Sequence, residues 1–281
     1  MSSAFDVLRN FLSHATGLSL DQDKAYLAES RLEPIMHRLG LVDLDALVVR
    51  IASGQHPELT REVIDAMTTN ETFFFRDRVP FDNFCKFVLP ALLETRKDIG
   101  RIRIWCAACS SGQEPYSIAM ILDEEAQKLQ GWNVEILATD VSHSVIAAAR
   151  EGIYTQFEVQ RGLPISQLLR YFRQDGDRWR VNEHLRSHVQ FEEFNLLSDF
   201  GALGRFDVIF CRNVLIYFDM PTKHAVLKKM ARVLAPDGYL FMGAAETVVG
   251  LTEAFMPHQE HRSIAVPRAS APRSSLRLVA G

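Results

Sequence analysis

The sequence predicts an α/β chain: a Rossmann-like, doubly wound sheet domain, preceded by a small all-helical N-terminal domain and carrying a small β-containing insertion. Three observations lead there. From Arg101 onward, short apolar runs alternate with helical patterns, and a crossover helix between strands implies a mainly parallel sheet covered on both faces. Residues 1–69 instead show only apolar residues at helical spacing. Between the two patterns lies Ile102–Met120, IRIWCAACSSGQEPYSIAM, which reads as strand, tight turn, helix. Doubly wound domains hold nucleotide-like ligands with that unit.

The helical domain comes first. Segments near Ala4–His14, Asp23–Leu39, Leu44–Ala52 and Glu58–Met67 carry the helical pattern, and Pro34 is expected to kink or split the second. TTNETFFFRD (68–77) leads into the linker, residues 70–100, which continues as a helix over Val79–Leu93. Three consecutive phenylalanines, Phe73 to Phe75, cannot all face one core. They are read as a lid whose aromatic and Arg side chains close over a bound cationic group, to which aromatic faces are attractive. The bland alternative is a buried connector with one Phe inward.

The sheet domain is assigned to residues 101–266. Its expected strands are Ile102–Trp105, Val134–Ala138, Val189–Phe194, Asp207–Phe210 and Tyr239–Met242, separated by helices near Glu114–Leu129, His143–Arg150 and Pro221–Leu234. The insertion, about residues 153–187, holds a helix over Leu163–Phe172 and a hairpin turn at Gln174–Asp177 leading into Trp179–Val181. Residues 267–281, rich in Ala, Ser, Pro and Arg, are expected to be disordered.

Composition narrows the function. The 281 residues are 47% hydrophobic and 23% charged, the balance of a globular protein. A net charge of −4 argues against nucleic acid as partner. No apolar run reaches ~18 residues, so no membrane insertion is expected, and MSSAFDVLRN has no signal-peptide pattern; the expected location is cytoplasmic. Four cysteines, including Cys106 and Cys109, are read as reduced and structural, and nine histidines show no metal-ligand spacing. No metal is expected.

The turn after the first strand has neither GxGxxG nor GxxxxGK[ST]. It carries a carboxylate, Glu114, which would repel a pyrophosphate but accepts hydrogen bonds from an amine or ribose. The implied ligand is an adenosyl group without phosphates, with S-adenosyl-L-methionine the leading candidate. Asp140 ends the second strand at the separation where Rossmann-like sites place a ribose-binding acid; its other reading is a helix cap. Asn195-Leu196 and Arg212-Asn213 follow two further strand ends and converge on the same crevice, unless they are plain turns. Lys24, Arg31 and Arg38 recur every seven residues and form a stripe on one helix. Residues 1–69 carry ten acids against six bases, so the stripe is a local basic feature on an acidic domain. It is either a solvated flank or a docking surface for an acidic helix.

With TTNETFFFRD (68–77), WCAACSSGQEPYSIAM (105–120), ATDVS (138–142), NLL (195–197) and FDVIFCRNVLIYFD (206–219), the chain resembles the chemotaxis receptor methyltransferases, the CheR family, over residues 5–266. The resemblance implies a Rossmann-like S-adenosylmethionine-dependent methyltransferase domain behind a helical receptor-docking domain. It implies that Asn70, Thr72 and Arg76 touch the cofactor from the linker. Glu114 and Asp140 would bind its amino and ribose groups, and Asn195, Leu196, Arg212 and Asn213 would line its adenine and methionine ends. Tyr217 would sit near the transferred methyl group, and Lys24, Arg31 and Arg38 would grip the methylation helix of the receptor's cytoplasmic domain. Members that tether a receptor C-terminal pentapeptide have a longer glycine-containing loop than Phe172–Arg178 here, which argues against a tether.

The implied reaction forms a γ-methyl ester on receptor glutamates, leaving S-adenosyl-L-homocysteine, with Tyr217 and Arg76 positioning groups rather than shuttling protons. A monomer is expected. The alternative is a non-catalytic sensor or adaptor that binds S-adenosylmethionine and docks on receptors. A nicotinamide-dependent oxidoreductase is disfavoured by the missing glycine triplet.

Overall fold

The structure, a computed structural model, describes residues 3–268. Helix α1 (Ala4–Thr16) starts in a capping box between Ser3 and Asp6 and stops at Gly17, whose φ of 81° is left-handed. Helices α2 (Ala25–Arg38), α3 (Leu44–Ala52) and α4 (Pro57–Met67) follow. Asp43 caps α3 through the Ala46 N–H, and α4 begins on a proline, which has no N–H to leave unpaired. Leu8, Leu12, Leu32, Leu47 and Val63 form the core of this domain. Pro34 sits inside α2 without ending it, contrary to the expected split. Pro34 and Ser30, whose carbonyl loses its bond, are both exposed, so water replaces the missing partner.

The linker leads into α5 (Val79–Asn83), a π-helical turn over Phe84–Val88, and α6 (Leu89–Thr95). These three joined segments replace the single expected helix. Phe74 is fully buried, edge-on to Tyr154 and Phe172 at 5.0 and 5.4 Å between ring centres.

The larger domain contains β1 (Arg101–Ala107), α7 (Gln113–Glu124), β2 (Asn133–Asp140) and α8 (His143–Glu151). The insertion follows, with β3 (Ile153–Thr155), α9 (Gln156–Gln160), α10 (Ile165–Tyr171), β4 (Phe172–Asp175) and β5 (Arg178–Val181). Then come α11 (Glu183–Arg186), β6 (Val189–Glu193), β7 (Phe206–Cys211), α12 (Met220–Val233), β8 (Leu234–Met242), β9 (Phe255–Pro257) and β10 (Ile264–Pro267). Seven strands form one sheet in the order β6-β2-β1-β7-β8-β10-β9. The first five run parallel and β10 pairs antiparallel with both neighbours. Pro267, expected in a disordered tail, closes β10, and Arg268 donates its N–H to the Ala254 carbonyl. Residues 269–281 of that expectation lie outside the described residues.

Successive residues of β1 alternate between the two faces: Ile104 and Cys106 pack into one apolar cluster, Trp105 and Ala107 into the other. The insertion is an antiparallel sheet, β3-β5-β4, turning at Gly176 (φ 63°). Among the described residues no helix is long and apolar enough to cross a membrane.

Candidate cofactor site

At the carboxyl ends of β1, β2 and β7 opens a cleft of about 910 Å³, its outer mouth continuous with solvent. Every residue expected to hold the cofactor lines it: Asn70, Thr72, Arg76, Glu114, Asp140, Asn195, Leu196, Arg212, Asn213 and Tyr217. The parallel order causes this, because β2-β1-β7 places their following turns side by side at the point beside β1 where the strand order reverses. The β1–α7 turn is bent hard. Ala108 and Ser110 hold φ of 62° and 51°, and Gly112 95°, a strained conformation typical of functional turns. A Cβ on Gly112 would lie 3.0 Å from the Ala149 methyl and 3.1 Å from the Tyr154 hydroxyl, so this turn requires glycine.

Asp140 is buried, and its two carboxylate oxygens accept the N–H groups of Ser110 (2.8 Å) and Ser142 (3.0 Å). The helix cap expected as its alternative role belongs to Ser142, whose hydroxyl accepts the Val145 N–H. Burial raises the Asp140 carboxyl above its ordinary value, with those N–H groups opposing. Glu114 is buried against Arg212, 2.8 Å from its Nη1. Burial pushes this carboxyl up as well, against the pull of Arg212. The other guanidinium nitrogen of Arg212 donates to the Arg76 carbonyl and to Asp77, both at 2.8 Å. Arg212 therefore staples the linker to the β1–α7 turn. Arg76 donates to the Glu71 carbonyl at 2.7 Å, and Ser110 Oγ donates to the Asn70 carbonyl at 2.8 Å. The linker is thus drawn over the cleft by its backbone.

The three phenylalanines do not form the expected lid. None lines the cleft; Phe74 points into the core, Phe75 packs on Phe81 and Phe73 lies under Arg161. The connector reading is the correct one, because a buried backbone crossing at this point needs a large apolar anchor. Polar neighbours, Asn70, Glu71, Thr72 and Arg76, face the ligand space instead.

The basic stripe lies away from the cleft. Arg38 pairs with Glu62 on the surface. Arg31 donates to the Met67 carbonyl at 2.8 Å and to Thr69 Oγ1 at 3.2 Å, at the root of the linker. Lys24 is half-buried.

Sequence reasoning missed the part played by the helical domain. Thr16 and Leu18 line the cleft. Asn195 donates to the Ala15 carbonyl at 2.5 Å, and the Ser19 N–H donates to the Tyr217 carbonyl at 2.8 Å. Nothing in the spacing of Thr16 or Leu18 marks them. Also missed was Glu246, which holds the turn after β7 through its backbone.

Asn213 Oδ1 and Arg212 Nε are buried in this wall without a hydrogen-bond partner. One orphan acceptor and one orphan donor, on residues that line the same cleft as the Asp140 carboxylate, fit a ligand bearing an amine, hydroxyls and a carboxylate. S-adenosylmethionine has that set.

A family model described as "CheR methyltransferase, all-alpha domain" matches residues 3–68, and one described as "CheR methyltransferase, SAM binding domain" matches residues 70–264. The chain is 44% identical over 255 residues to a "Chemotaxis protein methyltransferase 1" of Pseudomonas aeruginosa, covering 89% of this chain and 92% of that one. It is 43% identical over 256 residues to "Chemotaxis protein methyltransferase Cher2" of Pseudomonas putida, with the same coverage. With the "Chemotaxis protein methyltransferase" of Escherichia coli it shares 36% over 258 residues, 89% of this chain and 86% of that one. The junction of the two matched domains falls at Thr69, at the root of the linker that crosses the cleft. The chain belongs to the CheR chemotaxis methyltransferases, and its S-adenosylmethionine-binding domain spans residues 70–264.

Proposed function

We propose that this chain methylates glutamate side chains in the cytoplasmic domain of chemoreceptors, forming γ-methyl esters. The observation that carries the reading is the state of the two carboxylates in the cleft. Glu114 is tied to Arg212 and Asp140 to two backbone N–H groups, so neither stands ready as a base. An acceptor that already bears its charge suits such a site. A glutamate with pKa ≈ 4.3 is ionised at pH 7 and needs no deprotonation. S-adenosylmethionine, when bound, supplies a methyl group on an already activated sulfonium.

In this reading Asp140 accepts the ribose hydroxyls, and Asn70, Thr72 and Arg76 close the methionine side from the linker. Glu114 and Arg212 fix the floor, Asn195 and Leu196 flank the adenine, and Asn213 lines the methionine end. Tyr217, half-buried at the cleft, stands at the acceptor end with Arg76 and aligns the incoming carboxylate. The chain's task is alignment and removal of water. Receptor docking falls to Arg38 of α2 and to Lys24 just before it.

The test uses methyl-labelled S-adenosylmethionine and receptor-containing membranes. Transfer to the receptor with base-labile release of labelled methanol is the expected result. Cofactor binding without transfer would replace this reading with that of a sensor; base-stable label would exclude an ester.

A further inference from the structure

Between β7 and α12 the chain makes an irregular turn, Arg212–Asp219, that contributes Arg212, Asn213, Val214 and Tyr217 to the cleft. Asn213 holds φ of 57°, and Leu215–Tyr217 is a single 3₁₀ turn. The N–H groups of Tyr217 and Phe218 bond to the Val214 and Leu215 carbonyls within the turn, but those of Asn213, Val214 and Ile216 go to one side chain. Glu246 Oε2 accepts the N–H of Asn213 at 2.7 Å and of Gly243 at 2.8 Å, while Oε1 accepts those of Val214 at 3.1 Å and Ile216 at 3.3 Å. One carboxylate therefore ties three donors of the turn to the end of β8.

We propose that Glu246 is a positioning residue for methyl transfer, holding the Asn213–Tyr217 turn so that Tyr217 stands at the acceptor end of the cleft. Charge-assisted hydrogen bonds to backbone N–H groups are about twice as strong as neutral ones, so this carboxylate outweighs water as a partner for the turn. Gly243 completes the clamp. A Cβ there would lie 2.7 Å from Glu246 Oε2 and 2.9 Å from the Asn213 nitrogen, so only glycine lets the carboxylate lie between the two strand ends. From the other side Tyr217 is held by the Ser19 N–H on its carbonyl. The turn is fixed at both ends, by Glu246 at Asn213 and by the helical domain at Tyr217.

The proposal rests on Tyr217 acting at the acceptor end, so the experiment is a double-mutant cycle on kcat at saturating S-adenosylmethionine. Glu246→Gln keeps size but replaces one acceptor oxygen with a donor facing N–H groups. Tyr217→Phe and Glu246→Gln alone are each expected to lower kcat on the order of tenfold or more, as displaced reacting groups do. The double variant is expected to fall no more than about threefold below the worse single one, because both act through one side chain. Multiplying losses in a folded double variant would overturn the proposal. An unaffected Tyr217→Phe would instead remove the role assigned to Tyr217, separating that failure from a failure of the clamp. Gly243→Ala guards against misfolding of the Glu246 variant: it pushes the clamp apart from β8 and is expected to lower kcat comparably. A folded Gly243→Ala enzyme with normal kcat would equally overturn the proposal.

Discussion

Asp140 and Tyr217 share the cleft but answer to different measurements. Burial raises the Asp140 carboxyl above its ordinary 3.8, so on acidification it takes up a proton at higher pH than a surface aspartate would. A protonated Asp140 offers one fewer acceptor to ribose hydroxyls, so cofactor affinity should weaken as pH falls through that raised window. The stability linkage has the opposite sense. A raised folded value means that the native state holds the proton more tightly, so this group lowers stability above its folded value and ceases to do so below 3.8. Calorimetric titration of S-adenosyl-L-homocysteine against pH should show the loss of affinity, and Asp140→Asn should flatten it. A wild-type affinity that stays constant down to the ordinary range would contradict this role. For Tyr217, replacement by Phe should lower kcat on the order of tenfold to a hundredfold with cofactor affinity nearly unchanged, the signature of lost alignment; lost cofactor binding in the same titration would count against alignment. The ten cleft residues were legible because each follows a strand end or sits in a long motif. Glu246 was not, since a carboxylate that caps a turn 33 positions earlier in the chain leaves no spacing to read.

Helix α2 shows how an element divides its work. Arg38 meets Glu62 in a solvent-exposed pair, the kind worth about 0.2–1 kcal/mol, so a receptor carboxylate can displace Glu62 at little cost. Arg31 is engaged with the Met67 carbonyl and Thr69 Oγ1, hydrogen bonds worth about 1.5–3 kcal/mol where one partner is charged. The seven-residue stripe is thus uneven: Arg38 faces outward, Lys24 is half-buried and Arg31 braces the linker. Lys24→Glu and Arg38→Glu should each raise the receptor KM severalfold and leave the cofactor Kd alone, while Arg31→Ala should raise the cofactor Kd. Equal effects of all three on receptor KM, with no change in Kd, would show a uniform docking row. Periodicity could place the stripe but could not tell its members apart, because what Arg31 touches comes from α4 and the linker. Strands β9 and β10 were illegible for a related reason. At three and four residues they carry too little pattern to stand out, and it is the pairing of β10 onto β8, and of β9 onto β10, that makes them strands.

At the scale of the whole molecule, the helical domain and the sheet domain are two walls of one cleft. Thr16 and Leu18 come from one side, and Ser110, Asp140 and Asn213 from the other. The seam is joined by the Ser19 N–H on the Tyr217 carbonyl, a single β-bridge between Leu18 and Phe218, and the Asn195 side-chain amide on the Ala15 carbonyl. Gly17 lies in that seam with φ of 81°, and a Cβ would sit 3.1 Å from the Phe218 ring, so the close approach depends on a bare backbone. A ligand filling a shared cleft stabilises both walls together, by RT ln(1 + [L]/Kd), or about 2.7 kcal/mol at a hundredfold excess over Kd. Opening of the seam that releases the ligand then becomes about a hundredfold rarer. Hydrogen exchange on the full chain with S-adenosyl-L-homocysteine at that excess should therefore slow Leu18 and Ser19, in the helical domain, as well as Cys109 to Ser111 in the β1–α7 turn. Protection confined to the turn, with Leu18 and Ser19 exchanging at their unliganded rate, would mean that the helical domain opens while the cofactor stays bound, and that docking and cofactor binding are energetically separate.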